Sequence, residues 1–257
     1  MKPASHQDLI LDQFTRQATP FSTAKTIADE SALRLLVEFS GAGPHHTVLD
    51  VACGGGLVVC AFANTVRHAT GIDVTPAMLE RAKALAESKG LGNVSWDQGD
   101  VQSLPYPDAT FSIVVSRFTF HHFLDPLAVL KEMLRVCAPG GRVVVVDVEA
   151  SSDPIKAHEF NRMEKLRDPS HVRAMPVAEL KGLFGLGGLR EPRMAAYELR
   201  DELENLLRRS FPNPGDDGKI REMFAASAID NRLGIPVYRE GDRIHYAYPV
   251  AVLAADR

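Results

Sequence analysis

Between residues 47 and 148, apolar runs of strand length alternate with amphipathic runs of helix length, and few folds accommodate that pattern. "TVLDVA", "ATGIDV", "NVSWDQ", "FSIVVSR" and "RVVVVDV" predict strands. "LVVCAFANTV", "TPAMLERAKALAES" and "DPLAVLKEMLRVC" predict the helices between them. Strands that are apolar at nearly every position are covered on both faces, so the alternation predicts an α/β fold with a mostly parallel sheet between layers of helices. Thr75 as N-cap with Pro76 at the first helical position opens one helix, and "APGG" (Ala138 to Gly141) follows the helix ending at Cys137 and feeds the strand at Arg142. After Ala150 the pattern changes to two helices, "SSDPIKAHEFNRMEKLR" and "PVAELKGLF", and two separated strand candidates, "REPRMAAYEL" and "DRIHYAYPVAVLA". No repeat, low-complexity tract or clear linker divides the chain, so residues 1–257 are expected to form a single domain.

Composition narrows the partners. With 257 residues, 45% of them hydrophobic and 24% charged, the chain matches an ordinary globular protein with a large core. A net charge of −4 provides no overall basic field for phosphates, so no nucleic-acid partner is expected. Three widely spaced cysteines in apolar settings predict buried free thiols in a reducing compartment, hence a cytoplasmic protein. The N-terminal residues lack a signal-peptide core and no stretch has the length of a membrane span, so neither export nor membrane insertion is expected.

Parallel sheets bind ligands at the carboxyl ends of their strands. Asp50 closes the first strand, Asp73 the second, Asp100 lies just past the third, and Ser116 to His122 follow the fourth. Successive acids are one strand–helix unit apart, which lines them along one rim beside the bare backbone of Gly54, Gly55 and Gly56. That set predicts a slot for an adenosine-bearing ligand. Amides after Ala52 meet a polar group, Asp73 suits two vicinal ribose hydroxyls, and Asp100 with the Val101 amide suits the adenine edge. Asp50 and Ser116 fall at the same rim, although Asp50 has the alternative of a structural role with the loop amides. A nicotinamide-binding G-x-G-x-x-G would need its third glycine at Val59, and a phosphate loop would need a lysine after Gly56. A nicotinamide-dependent oxidoreductase is therefore a subordinate reading. Cys53 has no visible partner pair and reads as an inert thiol.

"VLDVACGGG" resembles the first motif of class I S-adenosylmethionine-dependent methyltransferases, and is especially similar to the ubiquinone/menaquinone-biosynthesis C-methyltransferase-like group. "GIDVTPAMLERAKA", "GDVQSLPYPDATFSIVVSRFTFHHF" and "LKEMLRVCAPGGRVVVVD" resemble the successive motifs of that group, so the likeness runs over about residues 45–150 in order. It implies S-adenosyl-L-methionine as cofactor, with Ala52, Gly54 and Gly56 around its methionine part. It also implies Asp73 on the ribose, Val74 and Met78 flanking the adenine, and Asp100 and Val101 reading the adenine edge. Ala52 stands where a glycine is common. The implied architecture is a three-layer Rossmann-like fold with a mostly parallel seven-stranded sheet and an antiparallel last strand, here Arg243 to Ala254. Residues 1–45 would form a helical lid, 46–150 the cofactor core, and 151–257 a substrate-side insertion with the C-terminal strands.

A methyl group on a sulfonium is already activated, so catalysis consists mainly of positioning, with a base where the acceptor must lose a proton. His121 and His122 are the candidate bases, because an ordinary histidine titrates near pH 6.5. The resemblance places His121 nearer the cleft. No metal is required. "SRFTFHH" stands where enzymes that methylate nucleobase amines carry an Asn/Asp-Pro-Pro-aromatic run, which disfavours that substrate. The acceptor is expected between Phe14, Arg16 and Phe21 of the lid and Asn161, Arg162, Arg167, His171 and Arg173 of the insertion, a set suited to an acidic or polar ring. The arginines have the alternative of solvating exposed faces. The function expected is methyl transfer to a carbon or oxygen of a small molecule. A non-methylating S-adenosylmethionine-binding protein of the same fold would look alike around Asp73.

Overall fold

The computed structural model describes residues 4–257. The first strand, β1 (Thr47–Val51), lies between β2 (His68–Asp73) and β4 (Phe111–Arg117), and β3 (Val94–Gln98) flanks β2; all these pairings are parallel. β5 (Cys137–Val148) extends the sheet beyond β4, again parallel. The two late strand candidates then meet: β6 (Arg193–Glu202) pairs antiparallel with the last long strand, β8 (Arg243–Asp256), which itself runs antiparallel to β5. The main path has seven strands in the order β3-β2-β1-β4-β5-β8-β6, and a short eighth strand, β7 (Val237–Glu240), pairs with the start of β8.

Side chains alternate across this sheet as the pleat requires. Val48, Ile113, Val115, Val144 and Val146 face one core with α2 (Glu30–Ser40) and α3 (Leu57–Ala63). Leu49, Val51, Val114, Val143 and Val145 face the other with α5 (Pro126–Val136) and α7 (Val177–Leu186). Burial on both faces explains why these strands read as continuous apolar runs. The N-terminal helix, α1 (His6–Ser22), packs against α4 (Pro76–Ser88) across the carboxyl ends of the strands. Among the described residues the insertion after β5 supplies α6 (Pro154–Arg167), and α8 (Leu203–Arg209) and α9 (Asp216–Asp230) complete the set.

Local signals set most of the boundaries. Asp29, Asp125 and Asp153 each accept a first-turn amide, capping α2, α5 and α6. Thr75 occupies the N-cap position of α4, but its hydroxyl makes no capping bond; Asp73 accepts the Thr75 amide instead. Two expected edges move. α3 ends at Ala63 rather than Val66, and β5 starts at Cys137, with a register shift opposite Phe111 and Ile113 and Gly140 at φ +74°.

Gly56 holds the turn into α3. Its φ is +79°, and an added Cβ would sit 2.6 Å from Trp96 and 3.0 Å from the backbone of Ala82. Gly56→Ala therefore combines left-handed strain of about 1–2 kcal/mol with overpacking of about 1–3 kcal/mol. Thermal unfolding should show its midpoint lowered by roughly 5–15 °C.

Candidate functional site

A cavity of about 260 Å³ opens at the carboxyl ends of β1, β2 and β4 beneath α1. Its floor is the loop from Ala52 to Gly55. Ala52 has φ +58°, unusual for a residue with a side chain, and Phe118 on the facing wall has φ +60°. Both strained residues line the cavity. Such strain persists only where the surroundings impose it.

Asp73 ties the floor together. One carboxylate oxygen accepts the Gly54 amide and the other the Thr75 amide, each at 2.8 Å. Burial pushes this carboxyl above the usual aspartate range, while those amides pull it back. Asp50 is 1% exposed and its Oδ2 has no hydrogen-bond partner among the described residues. Burial, reinforced by the nearby charge of Asp73, holds its carboxyl well above the ordinary value, with Arg117 opposing. Arg117 is the only lysine or arginine among the described residues lining the cavity. Its guanidinium donates to the Ile27 carbonyl at 3.0 Å and stands 4.4 Å from the Phe118 ring centroid. Val74, Met78, Val101, Phe123 and Leu124 supply apolar walls, and Asp100, also lining the cavity, is exposed.

The cavity thus gathers Asp50, Ala52, Gly54, Asp73, Val74, Met78, Asp100 and Val101, together with Phe14 and Phe21 from α1. Two expected cofactor residues stand apart. Gly56 is buried behind the loop, where its missing side chain makes room for Trp96 and Ala82. Ser116 is buried with its hydroxyl donating to the Val51 carbonyl and paired to Thr119, so it holds β4 to β1.

The two histidines exchange places relative to expectation. His122, not His121, lines the cavity, because the chain makes a 3-10 turn at Phe120–His122. His121 faces a second chamber of about 60 Å³ that shares Phe14, Phe21, Ile27, Phe118 and His122 with the first. Both rings are buried. Burial and the neighbouring His121 push His122 down to about 3, and its Nδ1 lies 3.1 Å from the Ser170 carbonyl. Burial also lowers His121, but the charge and hydrogen bond of Asp147 outweigh it and hold the ring above the ordinary histidine value.

The insertion contributes less to either cavity than its composition suggests. Arg162 is exposed and pairs with Glu159 at 2.6 Å, and Arg173 is exposed and pairs with Glu179. Arg16 lies on the outer face of α1, paired with Asp12 and stacked near Phe211. These three serve the solvated surface. Asn161 and His171 are structural partners: Asn161 Oδ1 meets His171 Nε2 at 2.8 Å and accepts the Ala174 amide. Arg167 does face the second chamber, but is locked onto Glu164. The residues missed from sequence are Arg117 and Asp147, each a lone charge in an apolar strand, a signal that was available in "IVVSR" and "VVVVDV".

Comparison with known proteins fits this geometry. A family model described as a methyltransferase domain matches residues 49–145. The uncharacterized methyltransferase YcgJ of Bacillus subtilis is 33% identical over 196 residues, spanning 76% of this chain and 78% of that protein. The crystal structure of YcgJ superposes with a TM-score of 0.81 at 27% identity, covering 88% of this chain and 98% of that one. The ubiquinone/menaquinone biosynthesis C-methyltransferase UbiE of Bdellovibrio bacteriovorus is 31% identical over 160 residues, 60% of this chain and 68% of that protein.

Asp50 yields a stability test. Its raised carboxyl keeps the proton to higher pH in the folded protein than in the unfolded chain, so its ionisation destabilises the fold progressively as pH rises from the ordinary aspartate range through the folded value. Asp50→Asn should match the parent in acid and exceed it at high pH, by about 1–3 kcal/mol, in thermal or urea unfolding of the ligand-free protein. A constant gap at all pH values would contradict the burial of an unpaired charge.

Proposed function

The chain belongs to the class I S-adenosylmethionine-dependent methyltransferases, and from that premise we propose that it methylates a carbon or oxygen atom of a small-molecule acceptor. The observation that carries the cofactor assignment in this chain is the order of groups along the first cavity. The strand order β3-β2-β1-β4 sets it: Asp50, with an orphaned carboxylate oxygen, and Arg117 lie at the ends of β1 and β4, Asp73 ends β2 with Val74 and Met78 after it, and Val101 follows β3. S-adenosylmethionine carries an ammonium and a carboxylate, then a sulfonium, a ribose diol and an adenine, in that same order. Asp50 would meet the ammonium and Arg117 the carboxylate. Each oxygen of Asp73 has accepted one amide and retains a second lone pair for the ribose hydroxyls. Met78 and Val74 would cover the adenine, with Asp100 and the Val101 amide at its edge. When bound, the cofactor supplies an activated methyl on its sulfonium.

What the chain's residues then do is hold and exclude. Phe14, Phe21 and Phe118 stand between the two cavities and keep water from the point of transfer. Position supports that acceptor class: of the arginines expected to attract an acidic ring, Arg16, Arg162 and Arg173 lie on the outer surface and Arg167 is engaged by Glu164, which leaves an apolar approach. The three cysteines are free and buried, in keeping with a reducing, cytoplasmic setting. Among the described residues no helix is long and apolar enough to cross a membrane.

The test separates the two ends of the cofactor. Calorimetry should show S-adenosylhomocysteine bound by the wild type, and Arg117→Met should weaken it by about 10–100-fold, the range for lost charge-assisted bonds. Binding of 5′-methylthioadenosine, which has no amino-acid end, should be unaffected by that change. Asp73→Ala should weaken both ligands. Equal losses for both ligands in Arg117→Met would remove the carboxylate role, and failure of the wild type to bind S-adenosylhomocysteine would remove the cofactor placement.

A further inference from the structure

We propose that the chamber behind His122 is the acceptor site, that it takes an uncharged acceptor bearing an ionisable O–H or an activated C–H, and that His121 removes that proton with Asp147 as its positioning residue. The inference rests on the methyltransferase reading and adds the acceptor's charge, its site and its base.

Geometry carries the base. Asp147, buried on β5, grips His121 twice, with Oδ1 2.6 Å from ring Nδ1 and Oδ2 accepting the His121 backbone N–H at 3.0 Å. A carboxylate can only accept, so Nδ1 bears the hydrogen and the lone pair is left on Nε2. Among the described residues Nε2 has no hydrogen-bond partner, and the ring that carries it lines the chamber. Neither neighbouring histidine can take this role. His122 is held far below neutrality, and His171, pushed down by burial and by both other histidines, has Nε2 engaged by Asn161.

Charge pairing carries the acceptor class. Arg167 donates to Glu164, which also accepts the Tyr248 hydroxyl at 2.7 Å. Arg209 is shared between Asp201 and the Tyr246 hydroxyl. Asp168 accepts Gln17 and Ser170. Glu164, Arg167, Asp168 and Arg209 are thus each hydrogen-bonded within the chain, and the apolar walls include Phe14, Phe21, Phe118, Leu199 and Leu206. An anionic or cationic acceptor would have to be desolvated there against charges whose hydrogen bonds are already made, which is costly. A neutral acceptor incurs no such cost.

The step balances. The acceptor's O–H or C–H proton passes to His121 Nε2 while that oxygen or carbon forms the new bond to the methyl. The carbon–sulfur bond breaks, its electron pair stays on sulfur as a neutral thioether, and the imidazolium gives its proton to solvent. The charges facing the ring are Asp147 from β5, Glu164 and Arg167 from α6, His122 beside it and His171 from the following loop. Their balance raises the pH at which His121 becomes an effective base.

Turnover is followed as S-adenosylhomocysteine formed from S-adenosylmethionine, with catechol paired against protocatechuate and acetylacetone against acetoacetate. The neutral member of at least one pair should be methylated at least tenfold faster than its carboxylate partner. The rate should rise with pH along a limb above the ordinary histidine range. Asp147→Asn should lower the plateau by about 10²–10⁴ and move that limb to lower pH, because the charge that raises His121 is gone. His121→Gln should abolish the limb. Melting and S-adenosylhomocysteine affinity of each variant establish that it is folded and loaded. A folded, loaded Asp147→Asn with an unmoved limb overturns the positioning role. Equal or faster turnover of the carboxylates, or no turnover of either neutral probe by a protein that binds S-adenosylhomocysteine, overturns the acceptor class. Failure to bind S-adenosylhomocysteine instead overturns the cofactor placement beneath it.

Discussion

The carboxylate of Asp73 joins three parts of the molecule that no other side chain brings together. It ends β2, accepts the Gly54 amide from the loop after β1, and accepts the Thr75 amide at the start of α4. Backbone bonds run alongside it, from Cys53 to Ile72 and from Gly99 to Asp73 itself. The floor of the first cavity is therefore built before any ligand arrives. A loop held this way can sustain Ala52 in a left-handed conformation, because relaxing that residue would break the amide contacts around it. Preorganisation of this kind reduces what a ligand must spend on ordering its own site.

A second organisation lies deeper. His121, His122 and His171 pack ring to ring with centroids 4.3 to 6.2 Å apart, surrounded by Asp147, Glu164, Arg167 and Asp168. Such a polar interior is stable only if its donors and acceptors are matched. Matching is nearly complete here, and it draws on α1, β5, α6 and β8 at once through Gln17, Asp147, Glu164 and Tyr248. The network is thus also what anchors the helical cover to the sheet.

Much of this was legible in the chain. β1 to β5 and the helices between them follow from apolar runs punctuated by Asp, Pro and Gly, since strands buried on both faces leave little ambiguity. That Asp50 and Asp73 would line one cavity was legible because strand ends in a parallel sheet converge. The later elements were not: α8 has seven residues, α9 mixes Gly218 with charges, and both pack on β8 through contacts distant in sequence. The side-chain directions in the insertion were equally hidden. Arg162 and Asn161 are adjacent on α6, yet one is solvated and the other bonds the Ala174 amide, which only the packing of α6 decides. The order of His121 and His122 turned on a 3-10 turn of three residues, too short to leave a periodic signal.

If the cofactor's ammonium sits beside Asp50, as proposed, occupancy of the first cavity becomes a proton-linked event. The free protein holds this carboxyl in its neutral form over a pH range in which ordinary aspartates are ionised. On the cofactor placement proposed above, an ammonium seated beside the Asp50 carboxyl would favour the carboxylate, so each binding event in that range would expel a proton into solution. Linkage is reciprocal: alkaline conditions strengthen capture, and capture acidifies the medium. The heat measured for binding then contains the ionisation enthalpy of the buffer, and the same ligand will look more or less exothermic according to which buffer receives the proton.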